Sequence, residues 1–216
     1  MPQSQTSDLR PTSAVAAILL AAGSSQRFGA GNKLLADVDG RPLIFRVAAG
    51  LTRSRVREVV VVTGPDRSEI EQALHGFGVR FVHNTDHHAG MGRSIAVGIR
   101  SLDSETQGAL ICPGDMPEVR TELVDKLIAA FEQNGAEGII FPVLPDGSQR
   151  NPVLWPRRFF ARLAALDGPA GGKALLAGLD METVAVPAPA GADFLDIDTA
   201  EDLARYRQCR RAARGG

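Results

Sequence analysis

The 216-residue chain is short of the features that most readily announce a protein's class. It has two cysteines, Cys112 and Cys209, far apart and in no metal-ligand spacing. That excludes a disulfide scaffold and matches a reducing compartment. Net charge is nearly absent, with 24 Lys and Arg against 25 Asp and Glu. A broad electrostatic grip on nucleic acid or on an anionic membrane is therefore not expected, although a local basic cluster around a phosphate stays compatible with the balance. Aromatics are scarce, nine Phe with one Trp and one Tyr, which argues against an aromatic-rich binding face. Long apolar runs are missing as well. The longest, 14–22, is far short of the ~20 residues a membrane helix needs. The polar segment before it has no apolar signal-peptide core. The expectation is a soluble, cytoplasmic protein with no membrane or nucleic-acid partner.

What the chain does have is glycine, 23 residues of it, and enough length to bury a core without metal or disulfide staples. The expected organisation is one domain over residues 14–208. A disordered lead-in, 1–13, would precede it, and a basic tail, 209–216, with Arg210, Arg211 and Arg214, would follow.

Within that domain, short apolar runs alternate with helical patterns. Residues 15–21, 58–63, 79–83, 108–112 and 138–143 read as strands bounded by turn signals. Between them, 43–52, 68–75, 94–102 and 121–133 read as helices; in the last, Leu123, Leu127, Ile128 and Phe131 recur at helical spacing. Near-continuous apolar strands alternating with helices predict an α/β three-layer sandwich, its twisted sheet mostly parallel and covered on both faces. Ligands of such sheets sit at the carboxyl ends of the strands, so chemistry is sought just after residues 21, 63, 83, 112 and 143.

The segment after the first strand, AAGSSQRFGAGNK (21–33), is glycine-rich and then presents Arg27 and Lys33. Glycine lets backbone N–H groups approach a phosphate closely, and flanking cations neutralise it. Neither standard loop fits: Lys33 sits between Asn32 and Leu34 rather than in Gly-Lys-Ser/Thr, and Leu34 spoils G-x-G-x-x-G after Gly29 and Gly31. GPAGGK (168–173) fails the first pattern too. The loop is a phosphate cradle of another kind or a plain turn. In GALICPGDMP (108–117), Asp115 stands immediately past a strand that Pro113 and Gly114 end sharply; it is a ligand for Mg2+ shared with substrate phosphates, or a turn cap. DFLDIDTAEDL (193–203) holds Asp196 and Asp198, which would share a face if the segment were a strand. Thr199 and Asp202 form a capping box, so Asp198 is also readable as helix-start polarity. GMGRS (90–94) opens a helical pattern and offers amides to an anion; with Ala96 in place of the last glycine, it is not a nucleophile elbow. His83, His87 and His88 lack a second His or Cys cluster to complete a zinc centre and are expected in or beside a ligand loop.

Taken in order, AILLAAGSSQRFGAGNKLL, HNTDHHAGMGRSIAVGI, CPGDMP and DIDTAEDL resemble the nucleotidyltransferases that load nucleotides onto small molecules, over residues 14–207. Among these the chain is similar to the molybdenum cofactor cytidylyltransferases and their guanylyltransferase relatives. The resemblance implies a GT-A-like fold with a Rossmann-like nucleotide-binding half. It also implies transfer of CMP from CTP to the phosphate of a molybdopterin-type acceptor, with Mg2+ (or Mn2+) and release of pyrophosphate. GTP is the alternative nucleotide, and a molybdoenzyme or its maturation factor is an implied partner. Ala21, Ala22, Gly23 and Ser24 would lie against the nucleotide, with Arg27 and Lys33 on its triphosphate. Asn84, Gly92 and Ser94 would line its pocket. Asp115 would hold the metal with Asp198, Asp196 being second choice. Lys33, Arg27 and Asp115 would be the catalytic groups, and Asn151, Pro152, Gly171, Gly172 and Lys173 would shape the acceptor side.

The sequence departs from that family at Asn32, where many relatives have proline, and at Asn151, where the cytidylyltransferases often have histidine. Pro169 and Lys173 alter the usual acceptor loop. The acceptor, and CTP against GTP, therefore stay open. A nicotinamide oxidoreductase would need the complete glycine fingerprint that the chain lacks. A non-catalytic pterin carrier would have no use for Lys33, Asp115 and Asp198 together.

Overall fold

The apolar run that opens the sequence becomes the middle of the sheet. The structure is a computed structural model and describes residues 13–23, 25, 28–29, 31–169, 171–176, 179, 182–187 and 194–214. In chain order the elements are β1 (Val15–Ala21), β2 (Asp37–Val38), β3 (Arg41–Pro42), α1 (Leu43–Thr52), β4 (Glu58–Thr63), α2 (Arg67–Ala73), β5 (Val79–His83), α3 (Met91–Arg100), β6 (Gly108–Pro113), α4 (Thr121–Gln133), β7 (Ile139–Val143), β8 (Val153–Pro156), α5 (Phe160–Ala164), α6 (Lys173–Leu176), β9 (Thr183–Pro187) and α7 (Ala200–Arg214).

The main sheet runs β5-β4-β1-β6-β8-β7-β9. Strands β1, β4, β5 and β6 are mutually parallel, and β9 is parallel to β7. Only β8 runs against its neighbours, β6 and β7. Successive residues of β1 point to opposite faces. Ala17, Leu19 and Ala21 enter a core with Val47, Leu51, Val124 and Leu127, while Ile18 enters a second core with Ile95, Ile99 and Trp155. Helices on both faces and a mostly parallel sheet between them make the expected three layers. Among the described residues no helix is long and apolar enough to cross a membrane.

Several local readings change. β8 is four residues of apolar sequence between Pro152 and the strand's own last residue, Pro156, too short to stand out as a strand. Residues 195–198 are not a strand; they have no regular secondary structure. The segment from 209, expected as a tail, instead continues α7 to Arg214. The reason is anchoring: Arg210 donates to Asp39 at 2.7 Å and to Glu118 at 3.0 Å. The expected lead-in lies outside the described residues apart from Ser13, which is buried and donates through Oγ to Arg55 O.

The order of the sheet decides where a ligand sits. From β1 the chain steps outward to β4 and β5, then returns to place β6 on the other side of β1. A crevice opens at that switch point, at the carboxyl ends of β1 and β6. Two glycines let the loops there meet. A Cβ on Gly114 would lie 2.7 Å from Leu20 O, and one on Gly64 would lie 2.5 Å from Ala22 O. Gly64→Ala is thus expected to push the first loop out of place and to destabilise the protein by ~1–3 kcal/mol, as overpacking does. A lower urea midpoint at unchanged slope checks it.

Candidate active site

The first loop returns to the crevice through Asn32. Its Oδ1 accepts from Leu34 N at 2.9 Å, capping a short 3-10 turn, Lys33–Leu35, and its Nδ2 donates to Asp66 Oδ2 at 2.8 Å. Ser25 Oγ accepts from Lys33 N at 3.1 Å. Leu34 is buried as the anchor of the turn, which leaves the Lys33 side chain to enter the crevice. Asn32 is therefore the cap that orients this lysine.

Lys33 Nζ lies 2.6 Å from Asp115 Oδ2 and 2.9 Å from Asp198 Oδ1, joining three segments distant in sequence. Burial alone would lower the lysine's pKa. The charge and hydrogen bond of Asp115, then those of Asp198, outweigh it and hold the pKa above the ordinary value. The ammonium is therefore charged at neutral pH. Its contribution to stability is fully present below the ordinary lysine pKa and is lost only as pH rises through the higher folded value.

Asp115 is placed by the Pro113-Gly114 exit from β6, and Asp198 by the start of α7. The capping box is reciprocal: Asp202 Oδ2 accepts from Thr199 N at 2.9 Å, and Thr199 Oγ1 accepts from Asp202 N at 3.1 Å. Ile197 N donates to Asp115 O at 3.0 Å, so the two loops are joined directly beside the carboxylates. Asp115, Asp196 and Asp198 all line one open cavity of about 700 Å³ with Lys33.

The same cavity takes in Ala22 and Gly23 from the first loop, Ser94 from α3, and Asn151 from the loop before β8. Other expected residues act at one remove. Ala21 is buried at the end of β1. Asn84 is 1% exposed and donates to Ser94 Oγ at 3.0 Å, so it orients Ser94 rather than lining the cavity. Gly92 corrects the reading of a free helix-start amide, because its N–H donates to Gly168 O at 3.1 Å. Pro152, joined to Asn151 by a cis bond, is buried. Gly171 and Gly172 pack on Met91 and Trp155: Cβ atoms there would lie 2.9 Å from Met91 Sδ and 3.2 Å from Trp155 Cζ2. The segment around 171 thereby lies against the start of α3. Ser24, Arg27 and the Lys173 side chain lie outside the described residues.

Ser25, Asn32 and Met91 escaped the sequence reading, although Asn32 before a buried leucine was a legible cap. His87 and His88 also line the cavity, their rings 4.0 Å apart. His83 instead meets Thr63 Oγ1 at 3.4 Å. Cys112 is fully buried; burial, then Asp115 and Asp196, push its thiol well up, so it supplies no thiolate nucleophile.

The donors fit a hard divalent ion. Asp115 Oδ1 is buried with no hydrogen-bond partner, an acceptor left over after Lys33 is satisfied. Among the described residues no three His, Cys, Asp or Glu side chains converge as a cage. Two carboxylates with water and substrate phosphates would complete the oxygen shell that Mg2+ or Mn2+ prefers.

Known proteins place the chain in a family. The MobA-like NTP transferase domain family matches residues 17–184. The chain is 32% identical over 202 residues to a probable molybdenum cofactor guanylyltransferase of Haloferax mediterranei, covering 87% of this chain and 90% of that protein. Its fold is similar to that of a nucleotidyl transferase from Methanothermobacter, with a TM-score of 0.75 at 23% identity over 90% of this chain and 96% of that one. It is likewise similar to Rv0371C of Mycobacterium tuberculosis in complex with manganese, with a TM-score of 0.73 at 22% identity over 90% and 98%. The loops at the switch point thus belong to a nucleotidyltransferase, and the chain is a member of the MobA-like NTP transferase family.

Proposed function

We propose that the protein transfers CMP from CTP to the phosphate of a pterin-type cofactor, with Mg2+ or Mn2+ and release of pyrophosphate. The observation that carries this reading is the cluster of Lys33, Asp115 and Asp198 at the switch point, two carboxylates and one ammonium in a cavity large enough for a nucleotide. An acceptor phosphate oxygen forms a new bond to the α-phosphorus in line. The bond from that phosphorus to the bridging oxygen breaks, and pyrophosphate leaves with the electron pair. No side-chain nucleophile is needed; positioning and charge neutralisation do the catalysis. A divalent ion, when bound, neutralises and orients the phosphates. Asp115 and Asp198 would hold it. Lys33 would exchange its carboxylate partners for the triphosphate. Asn151 and the segment around Gly171 would shape the acceptor side.

GTP is the second reading, supported by the guanylyltransferase name of the Haloferax relative. Delivery of the product to a molybdoenzyme or its maturation factor in the cytoplasm belongs to the same proposal. Calorimetric titration with CTP, GTP, ATP and NAD(P), each with and without Mg2+, tests it. Metal-dependent binding that favours CTP is expected; preference for GTP moves the base assignment, and binding of NAD(P) alone overturns the reading.

A further inference from the structure

The site's three charged groups sit on segments that continue, beneath the crevice, into a second ion network. Shortly after Asp115 the chain reaches Glu118, whose side chain is 9% exposed. Glu118 Oε1 accepts from the Tyr206 hydroxyl of α7 and from Arg210 Nη1 at 3.0 Å, and Oε2 accepts from Arg120 Nη2 at 3.1 Å. Arg210 Nε also donates to Asp39 Oδ2 at 2.7 Å, in the turn between β2 and β3 that follows the Lys33 turn. Burial, then the hydrogen bond and charge of Glu118, push the Tyr206 hydroxyl far up, so it remains a donor at neutral pH.

We infer that Glu118 is a positioning residue for the nucleotidyl-transfer site, clamping α7 to the Asp115 loop so that Asp198 and Asp115 hold their separation. The geometry calls for such a clamp. Lys33 bridges the two carboxylates in the structure but would leave them for a bound triphosphate, and the backbone bond from Ile197 N to Asp115 O then stays beside them. Glu118–Tyr206 adds a tie further along both segments, and ties at two places fix an orientation that ties at one place leave free. The link from Arg210 to Asp39 brings the continuation of the Lys33 turn into the same clamp. Stability alone is a poor reason to bury this carboxylate, since apolar side chains of similar volume usually serve as well or better. Partners that orient metal ligands, by contrast, are worth about 10–100-fold in metal affinity or activity.

The inference rests on the proposed function, and its test separates the two. Formation of the protein–CTP–Mn2+ complex is measured by water-proton relaxation enhancement, which separates it from the Mn2+–CTP chelate, in wild type, Glu118→Gln and Tyr206→Phe. The kcat and the KM for CTP are measured alongside. Both variants are expected to weaken Mn2+ binding about tenfold or more and to lower kcat, with KM for CTP nearly unchanged. Should Glu118→Gln not fold, Tyr206→Phe carries the test, because it removes one hydroxyl and no charge. A lower melting temperature with wild-type Mn2+ affinity and kcat would make the network a structural strut and overturn the inference. A wild-type protein that binds no Mn2+ in the presence of nucleotide overturns the nucleotidyl-transfer reading itself, and the clamp with it.

Discussion

Asp115→Asn is expected to lower turnover about 10³-fold, a loss of ~4 kcal/mol of transition-state stabilisation. The carboxylate meets Lys33 through Oδ2 and leaves Oδ1 buried and unpartnered, so one of its oxygens is already committed to no other protein group. An amide keeps the shape but removes the charge that would hold a divalent ion beside the α-phosphate. The fold should survive, because Lys33 retains Asp198 and the backbone link from Ile197 N to Asp115 O does not involve the side chain. A melting shift of only a few degrees is expected for a chain of this size, where ~1 kcal/mol moves the midpoint by about 2–4 °C. Initial-rate measurement of pyrophosphate release decides it. Release at the wild-type rate, with Mg2+ and acceptor present, would remove Asp115 from the mechanism.

Lys33→Met should act in two opposite directions. Turnover should fall by about 10²–10³, the usual loss when one preorganised cation or donor is removed from a developing charge. Binding of Mn2+ in the absence of nucleotide should instead tighten, by about tenfold or more. In the structure the ammonium sits against both carboxylates, so a free divalent ion has to displace it. With nucleotide present, the triphosphate offers Lys33 a new partner and that penalty disappears. Without Lys33 the two carboxylates face each other without their shared cation, a destabilising arrangement that a bound ion relieves. Mn2+ should therefore raise the melting temperature more in the variant than in wild type, by mass action on the folded state. The lysine's pKa lies above its ordinary value, so its deprotonation should leave no mark on the rate profile across neutral pH. Equal Mn2+ affinity in the two proteins would show that the lysine does not guard the carboxylates.

The strands that matter most were legible because they are continuous apolar runs, buried on both faces: β1, β4 and β6 fall where Val15, Glu58 and Gly108 begin their segments. Strands β8 and β9 were not, for local reasons. The first is short and edged by proline, and the second alternates half-buried and exposed residues in the outer part of the sheet. The site was legible where chemistry and punctuation coincide, as at Gly114-Asp115 and Asp198-Thr199. Asn84 bonds Ser94, and the Gly92 N–H is taken by Gly168 O, relations that the motif does not spell out. A sequence motif does not say which member faces the cavity and which supports its neighbour; the hydrogen bond from Asn84 to Ser94 does. Glu118, Tyr206 and Arg210 carried no motif at all, since their relation exists only once α7 folds back across the Asp115 loop.

The proposed reaction moves a nucleotidyl group onto a phosphorylated pterin in this cavity. The most direct test supplies CTP labelled at the α-phosphate, then GTP in parallel, with pterin cofactor, with and without Mg2+. The label is expected to appear covalently on the pterin, with unlabelled pyrophosphate released in equal amount, and both are expected to require the metal, Lys33 and Asp115. Label that never leaves the free nucleotide with either substrate, although the pterin binds, would contradict it.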